Sequence, residues 1–224
     1  LTAVSLSYPF MTLLIAFGAG TGVGVTALVS RNLGARDSTT ANQVARHALF
    51  LPFLSSMLFV LTANFVIPRF FHIQTTDPEI YELGIRYLRI TVYFSVGSMY
   101  QIMAEKLLAA TGKTGYTMIT QITGAVINII LDPILIFGYF GFPALGISGA
   151  AIATVIGQSV AAILGFAFNF IINKEINFSL RKFKPNLSIL KAIYRVGFPS
   201  ILLPTSAAIM NFFINNILIQ FTST

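Results

Sequence analysis

The feature that most limits what this chain can fold into is the absence of charge over long stretches. Leu1–Ser30, Ala48–Pro68, Pro133–Asn173 and Val196–Thr224 contain no Asp, Glu, Lys or Arg. An apolar run of more than about 18 residues is long enough to cross a bilayer as a helix. Buried helices of a soluble core are the plainer reading, but they seldom come as five or six such runs with so little charge between them. Only 9% of the 224 residues are charged, against roughly a quarter in a soluble domain. The chain therefore reads as an all-α, polytopic membrane protein. The periodicity predicts six spans at about 5–30, 47–68, 86–108, 116–138, 148–172 and 197–220.

The charge that remains sorts by side. Arg31, Arg36, Arg46, Lys106, Lys113 and the five basic residues from Lys174 to Lys191, with Arg195, fall at one set of span ends. Arg69, Arg86 and Arg89 fall at the other. By the positive-inside rule the first set is cytoplasmic. Both ends of this sequence then lie outside, and the polar stretch 173–195 lies in the cytoplasm of a cell carrying the protein in its plasma membrane. The net charge of +7 does not gather into one groove, which speaks against nucleic acid. With no cysteine, disulfides and thiolate metal sites are excluded. The first run lacks a basic leader, so it does not read as a signal peptide. The Leu start and the "FTST" ending read as those of a piece cut from a longer chain.

Short motifs add detail. Asp77 before Pro78 predicts a capped helix start. Gly18, Gly20, Gly22 and Gly24 predict close helix packing in the first span. "ATGKTG" at 110–115 lacks the glycine a phosphate loop needs at position 107 and reads as a short connection. "NLSILKAIYRVG", 186–197, predicts a short amphipathic helix lying on the inner surface. His47 and His72 lack metal-ligand partners in the sequence and are given no chemistry.

The polar residues inside the spans carry the functional information. In the fourth span Gln121, Asn128 and Asp132 are seven and four residues apart, on one helical face. A carboxylate at membrane depth costs about 2.5–3.5 kcal/mol even on lenient scales, so this face should point into the bundle or a watery cavity. Pro133 has no N–H, which is expected to kink the helix and free a carbonyl near Asn128 or Ile129. A carboxylate, an amide oxygen and a spare carbonyl form a hard oxygen site suited to Na⁺, or to a proton on the carboxylate. The competing readings are structural pairing of Asp132 with another helix, or a position close to the outer interface. Gln101 and Glu105 share a face of the third span, where surface, gating and transport roles are all open. Tyr93 and Tyr100 either wall a cavity or pack. Thr154 in the fifth span is a candidate to lend its hydroxyl to Asp132. Asn211, Asn215 and Asn216 in the last span either bond between helices or line a substrate path. No constellation speaks for an enzyme, and no bound cofactor is implied.

"GAGTGVGVTALVSRNLGARD" (18–37), "NIILDPILIFG" (128–138) and "GISGAAIATVIGQ" (146–158), in that order and spacing, resemble the multidrug and toxic compound extrusion (MATE) transporters, above all their bacterial branch. The resemblance runs over nearly the whole chain. It implies a twelve-helix transporter in two lobes, of which this sequence holds six helices, family helices two to seven. Residues 1–172 would then be most of the first lobe, 173–195 the cytoplasmic linker, and 196–224 the first helix of the second lobe. It further implies export of bulky aromatic or cationic drugs by exchange with Na⁺ or H⁺, in a protein that is monomeric at full length and contacts membrane lipids. The coupling residues map onto Asn128, Asp132 and Thr154; the acidic residue of the family's first helix has no counterpart here. Gln121, Tyr93, Gln101, Glu105, Asn211 and Asn215 become cavity-lining candidates. A lipid-linked precursor flippase of related architecture is the alternative; a channel and a passive scaffold rank below it.

Overall fold

The computed structural model describes residues 2–179 and 183–222, with side chains of the last helix described as far as Ile214. Every regular element among the described residues is a helix. The helices are α1 (Thr2–Gly34), α2 (Ser38–Gln74), α3 (Pro78–Tyr93), α4 (Val96–Ala110), α5 (Thr114–Phe137), α6 (Ile147–Ile172) and α7 (Leu187–Thr222), with a 3-10 turn at Tyr139–Gly141. Five of them, α1, α2, α5, α6 and α7, are long and apolar enough to cross a membrane.

The sixth expected span is not among them. Where a span was expected at 86–108, the chain forms two shorter helices, α3 and α4, of 16 and 15 residues. Phe94 and Ser95 break the ladder between them: Ser95 N–H turns to the Val92 carbonyl and Gly97 N–H to Phe94, three residues back instead of four. Neither helix is long enough alone, and α3 also carries Glu79, Glu82, Arg86 and Arg89.

The helix starts follow their caps. Asp37 accepts from Thr40 N–H at 3.0 Å and opens α2. Asp77 accepts from Glu79 N–H at 2.8 Å, with Pro78 in the first turn of α3, as its sequence predicts. Gly138 ends α5 at φ 76°, where an L side chain is strained. The chain then folds straight back, Leu145 N–H bonding to the Leu135 carbonyl at 3.0 Å. "ATGKTG" is the short connection between α4 and α5. There Lys113 pairs with Glu175 just beyond α6. The hydrogen bond from Lys113 holds the Glu175 carboxyl below the ordinary carboxylate range.

The glycines of α1 face two neighbours. Gly18 and Gly22 lie against α4, where a Cβ on Gly18 would stand 2.9 Å from Met99 Sδ. Gly20 and Gly24 lie against α7, where a Cβ on Gly20 would stand 3.0 Å from the Gly197 carbonyl. Spaced four apart, each pair forms one small-residue seam along the helix. The amphipathic stretch 186–197 is not a separate surface helix: it forms the first turns of α7, which runs unbroken past Pro199 and Pro204. Ile189 and Ile193 are buried there against Val25, Val29 and Val44, so its apolar face is covered by protein instead of lipid. Helix α5 likewise continues through Pro133 as one element.

Candidate functional site

The site is assembled where α5 and α6 come closest. Gly124 and Gly157 face each other: a Cβ on Gly157 would stand 2.7 Å from the Gly124 carbonyl and 3.4 Å from Asn128 Cβ. With nothing larger than hydrogen at either position, the two backbones approach closely enough for short polar side chains to meet.

One turn further along α5 they do. Asn128 Nδ2 lies 3.3 Å from Asp132 Oδ1 and 3.4 Å from Thr154 Oγ1 on α6. Thr154 in turn donates to the Ala150 carbonyl at 2.9 Å. All three side chains are half-buried. The two amide contacts are at the long end of hydrogen bonding, so the cluster is gathered but not clamped. Asp132 forms no ion pair with Lys, Arg or His among the described residues. Pro133 offers no N–H to the Ile129 carbonyl one turn back. Asp132 and Thr154 Oγ1 present one carboxylate and one hydroxyl oxygen to the Asn128 amide, and a flip of that amide about its last bond would turn a third oxygen toward them. That is the donor chemistry of a hard monovalent cation or a proton, not of a transition metal. No group of three His, Cys, Asp or Glu gathers among the described residues.

Tyr87 on α3 completes the cluster, and the sequence did not single it out. It is buried beside the cluster, near Thr154 and within electrostatic range of Asp132, without a hydrogen bond to either. The only signal for it was a hydroxyl on a membrane-embedded face, one of eight tyrosines. Asp132 stands roughly 9 Å along the axis from Gly138, at 1.5 Å per residue, so the cluster sits toward the α5–α6 turn.

Gln121 does not join it, although it shares the face. It donates to Glu105 Oε2 at 2.9 Å. Gln101 donates to Glu105 Oε1 at 3.1 Å, and Thr120 Oγ1 is 3.4 Å from the same atom. Glu105 thus heads a second cluster, on α4 and the opposite end of α5, roughly 16 Å from Asp132 by helical rise. Tyr93 is exposed and donates to Asn64 at 2.5 Å, in a cavity of about 670 Å³ shared with Arg86, Arg89 and Pro68. Tyr100 donates to the Leu49 carbonyl at 2.9 Å, which is packing. Asn211 is half-buried on α7 and joins neither cluster. The Asn215 side chain lies outside the described residues.

A family model described as MatE matches residues 1–134. The multidrug export protein MepA of Staphylococcus haemolyticus is 27% identical over 216 residues, covering 96% of this chain and 47% of that protein. The probable multidrug resistance protein YoeA of Bacillus subtilis is 32% identical over 154 residues, covering 69% of this chain and 33% of its own length. A solved structure, the inward-facing conformation of a multidrug resistance MATE family transporter, superposes at a TM-score of 0.89 with 32% identity, covering 97% of this chain and 49% of that one. An outward-facing one superposes at 0.87. The chain spans about half the length of the relatives it matches.

Proposed function

The chain belongs to the MatE family, and on that premise we propose that the complete protein is a secondary active exporter of bulky aromatic or cationic compounds, driven by antiport of Na⁺ or H⁺. It is not an enzyme; its chemistry is binding and release. The observation that carries the coupling is Asp132, a carboxylate without a cationic partner among the described residues, held by the neutral Asn128 amide of α5, which also reaches Thr154 of α6. Residues 1–172 form most of one lobe, 173–195 the cytoplasmic linker, and 196–224 the start of a second lobe. Helices α3 and α4 act together as one broken crossing, and both ends of the chain lie outside. The closely similar fit to an inward-facing and an outward-facing transporter supports a lobe that keeps its packing while the two lobes move against each other.

A cation arriving from outside neutralises Asp132. The empty site leaves an unpaired charge in a poorly solvated position, so occupied and empty forms favour different arrangements of the bundle. That difference is what a gradient can work on: one charge crossing the membrane is worth about 2.3 kcal/mol per 100 mV. Ethidium efflux from cells carrying the complete gene, with Na⁺ and pH gradients imposed separately, tests this. Export driven by one of the two is the expected result. No export under either, with the protein in the membrane, overturns the antiporter reading and turns attention to lipid-linked substrates.

Tyr87→Phe removes one hydroxyl beside Thr154 and leaves the ring in place. A polar contact beside the site, worth about 0.5 kcal/mol, is at stake. The half-saturating concentration of the coupling ion should rise roughly twofold, with maximal efflux little changed. An unchanged ion dependence would remove Tyr87 from the site.

A further inference from the structure

Where the chain between α6 and α7 crosses α2, it closes a cavity of about 480 Å³, and this cavity lies apart from both polar clusters. Its walls include Gln43, Arg46 and His47 of α2 and Lys184, Asn186 and Leu187 of the crossing segment. The frame is fixed. His47 is 3% exposed. Its Nε2 accepts from the Asn186 backbone N–H at 2.9 Å, which leaves Nδ1 to donate to the Gln43 carbonyl at 2.7 Å. Asn186 in turn caps α7, its Oδ1 accepting from Ser188 N–H at 2.9 Å. The His47 ring also packs edge-on against Phe183 at 5.0 Å.

Among the described residues two cations, Arg46 and Lys184, line this frame, and no carboxylate does. Neither forms an ion pair among the described residues. Arg46 Nε is buried and has no hydrogen-bond partner among them. A buried donor left unpaired is costly, and two cations facing one cavity without an acid add repulsion to it. Both penalties vanish if an anion with several acceptor oxygens sits between them. The first turn of α7, a 36-residue helix, opens beside the cavity and adds positive potential.

We propose that this cavity is a phosphate-binding site, in which Arg46 and Lys184 clamp a phosphate-bearing anion against the His47–Asn186 frame. A planar guanidinium matched to phosphate oxygens and an ammonium acting as a point charge are the usual pair for that chemistry. Two sources can supply it, an anionic phospholipid headgroup or a soluble phosphate compound. Exposed Leu187 in the lining, and exposed Phe50, which packs on Phe183 beside it, offer apolar surface that an acyl chain would cover, which favours the phospholipid. The site needs only the geometry above. Its placement in the inner leaflet rests on the topology in the proposed function.

The test is native mass spectrometry of the complete gene product in detergent, titrated separately with phosphatidylglycerol, phosphatidylcholine, glycerol 3-phosphate and inorganic phosphate. It reads binding, so it stands whether or not the protein is an antiporter. Arg46→Gln and Lys184→Gln are compared with wild type, and Lys191→Gln, an exposed cation outside the cavity, is the control. Lys184 is exposed, so its variant keeps the test open if Arg46→Gln fails to fold. The expected result is phosphatidylglycerol bound roughly tenfold more weakly by each cavity variant than by wild type or the control. Glycerol 3-phosphate or inorganic phosphate showing the same loss assigns the site to a soluble anion. If none of the phosphate compounds distinguishes the cavity variants from wild type, the site does not exist.

Discussion

Cells carrying the complete gene with Asp132→Asn should show no gradient-driven ethidium efflux above cells without the gene, while the protein reaches the membrane in normal amount and melts no earlier than wild type. Asparagine keeps the volume of the side chain and an oxygen facing Asn128, so the α5–α6 contacts at 3.3 and 3.4 Å can persist. What it removes is the single negative charge of the site. Without it there is nothing to attract a cation or hold a proton, and the energy difference between occupied and empty forms disappears. The stability readout separates the two readings of Asp132. A carboxylate in a membrane span costs about 2.5–3.5 kcal/mol, and no cationic partner offsets that cost among the described residues. Neutralising it should therefore leave the melting temperature unchanged or raise it. Were Asp132 a structural pairing residue, the same variant would melt earlier and lose efflux through loss of fold. Efflux that survives the substitution would move the coupling site elsewhere.

Much of this arrangement was written in local chemistry. Charge-free runs set the long helices, Asp77 and Pro78 set the start of α3, and the spacing of Asn128 and Asp132 set their shared turn. Thr154 was reachable because its helix follows α5 through a tight turn, which makes the two antiparallel neighbours. What sequence did not reveal depends on which helix lies beside which. Gln121 shares a face with Asp132, but α6 runs along the whole of α5 while α4 reaches only its first half, so residues on that face find different partners. Tyr87 reaches the site from α3, far away in sequence, and looks like any packing aromatic. The break at Phe94–Ser95 has no proline to announce it. Conversely, the amphipathic stretch 186–197 suggested a separate surface helix, yet α7 runs unbroken from it past Pro199. A proline removes one helical hydrogen bond, and the seam of Gly20, Gly24 and Gly197 holds both sides of it against α1.

That seam gives the second large expected effect. Gly24→Leu should destabilise the protein by about 2 kcal/mol or more, seen as a melting temperature lower by several degrees in detergent and as reduced membrane abundance. A side chain at Gly24 would meet the Ile193 carbonyl, with the Ile193 carbonyl carbon 2.9 Å away. These are backbone atoms of a buried turn, so no side-chain rotation can clear the space; α1 and α7 have to separate. Separation would expose Val25, Val29 and Ile193, all essentially inaccessible now, and would pull the first turns of α7 away from Val44 on α2. Gly115→Ala is the matched control. Gly115 sits in the first turn of α5 with nothing within 4 Å of an added Cβ, and alanine favours helix over glycine by roughly 0.5–1 kcal/mol. It should melt at or slightly above wild type. The expected case is a seam that stays closed throughout transport. The Gly24→Leu penalty then falls on every folded state, and adding a transported compound or coupling ion should not rescue it. Rescue by either would mean that the seam opens during transport and that α7 moves with the second lobe.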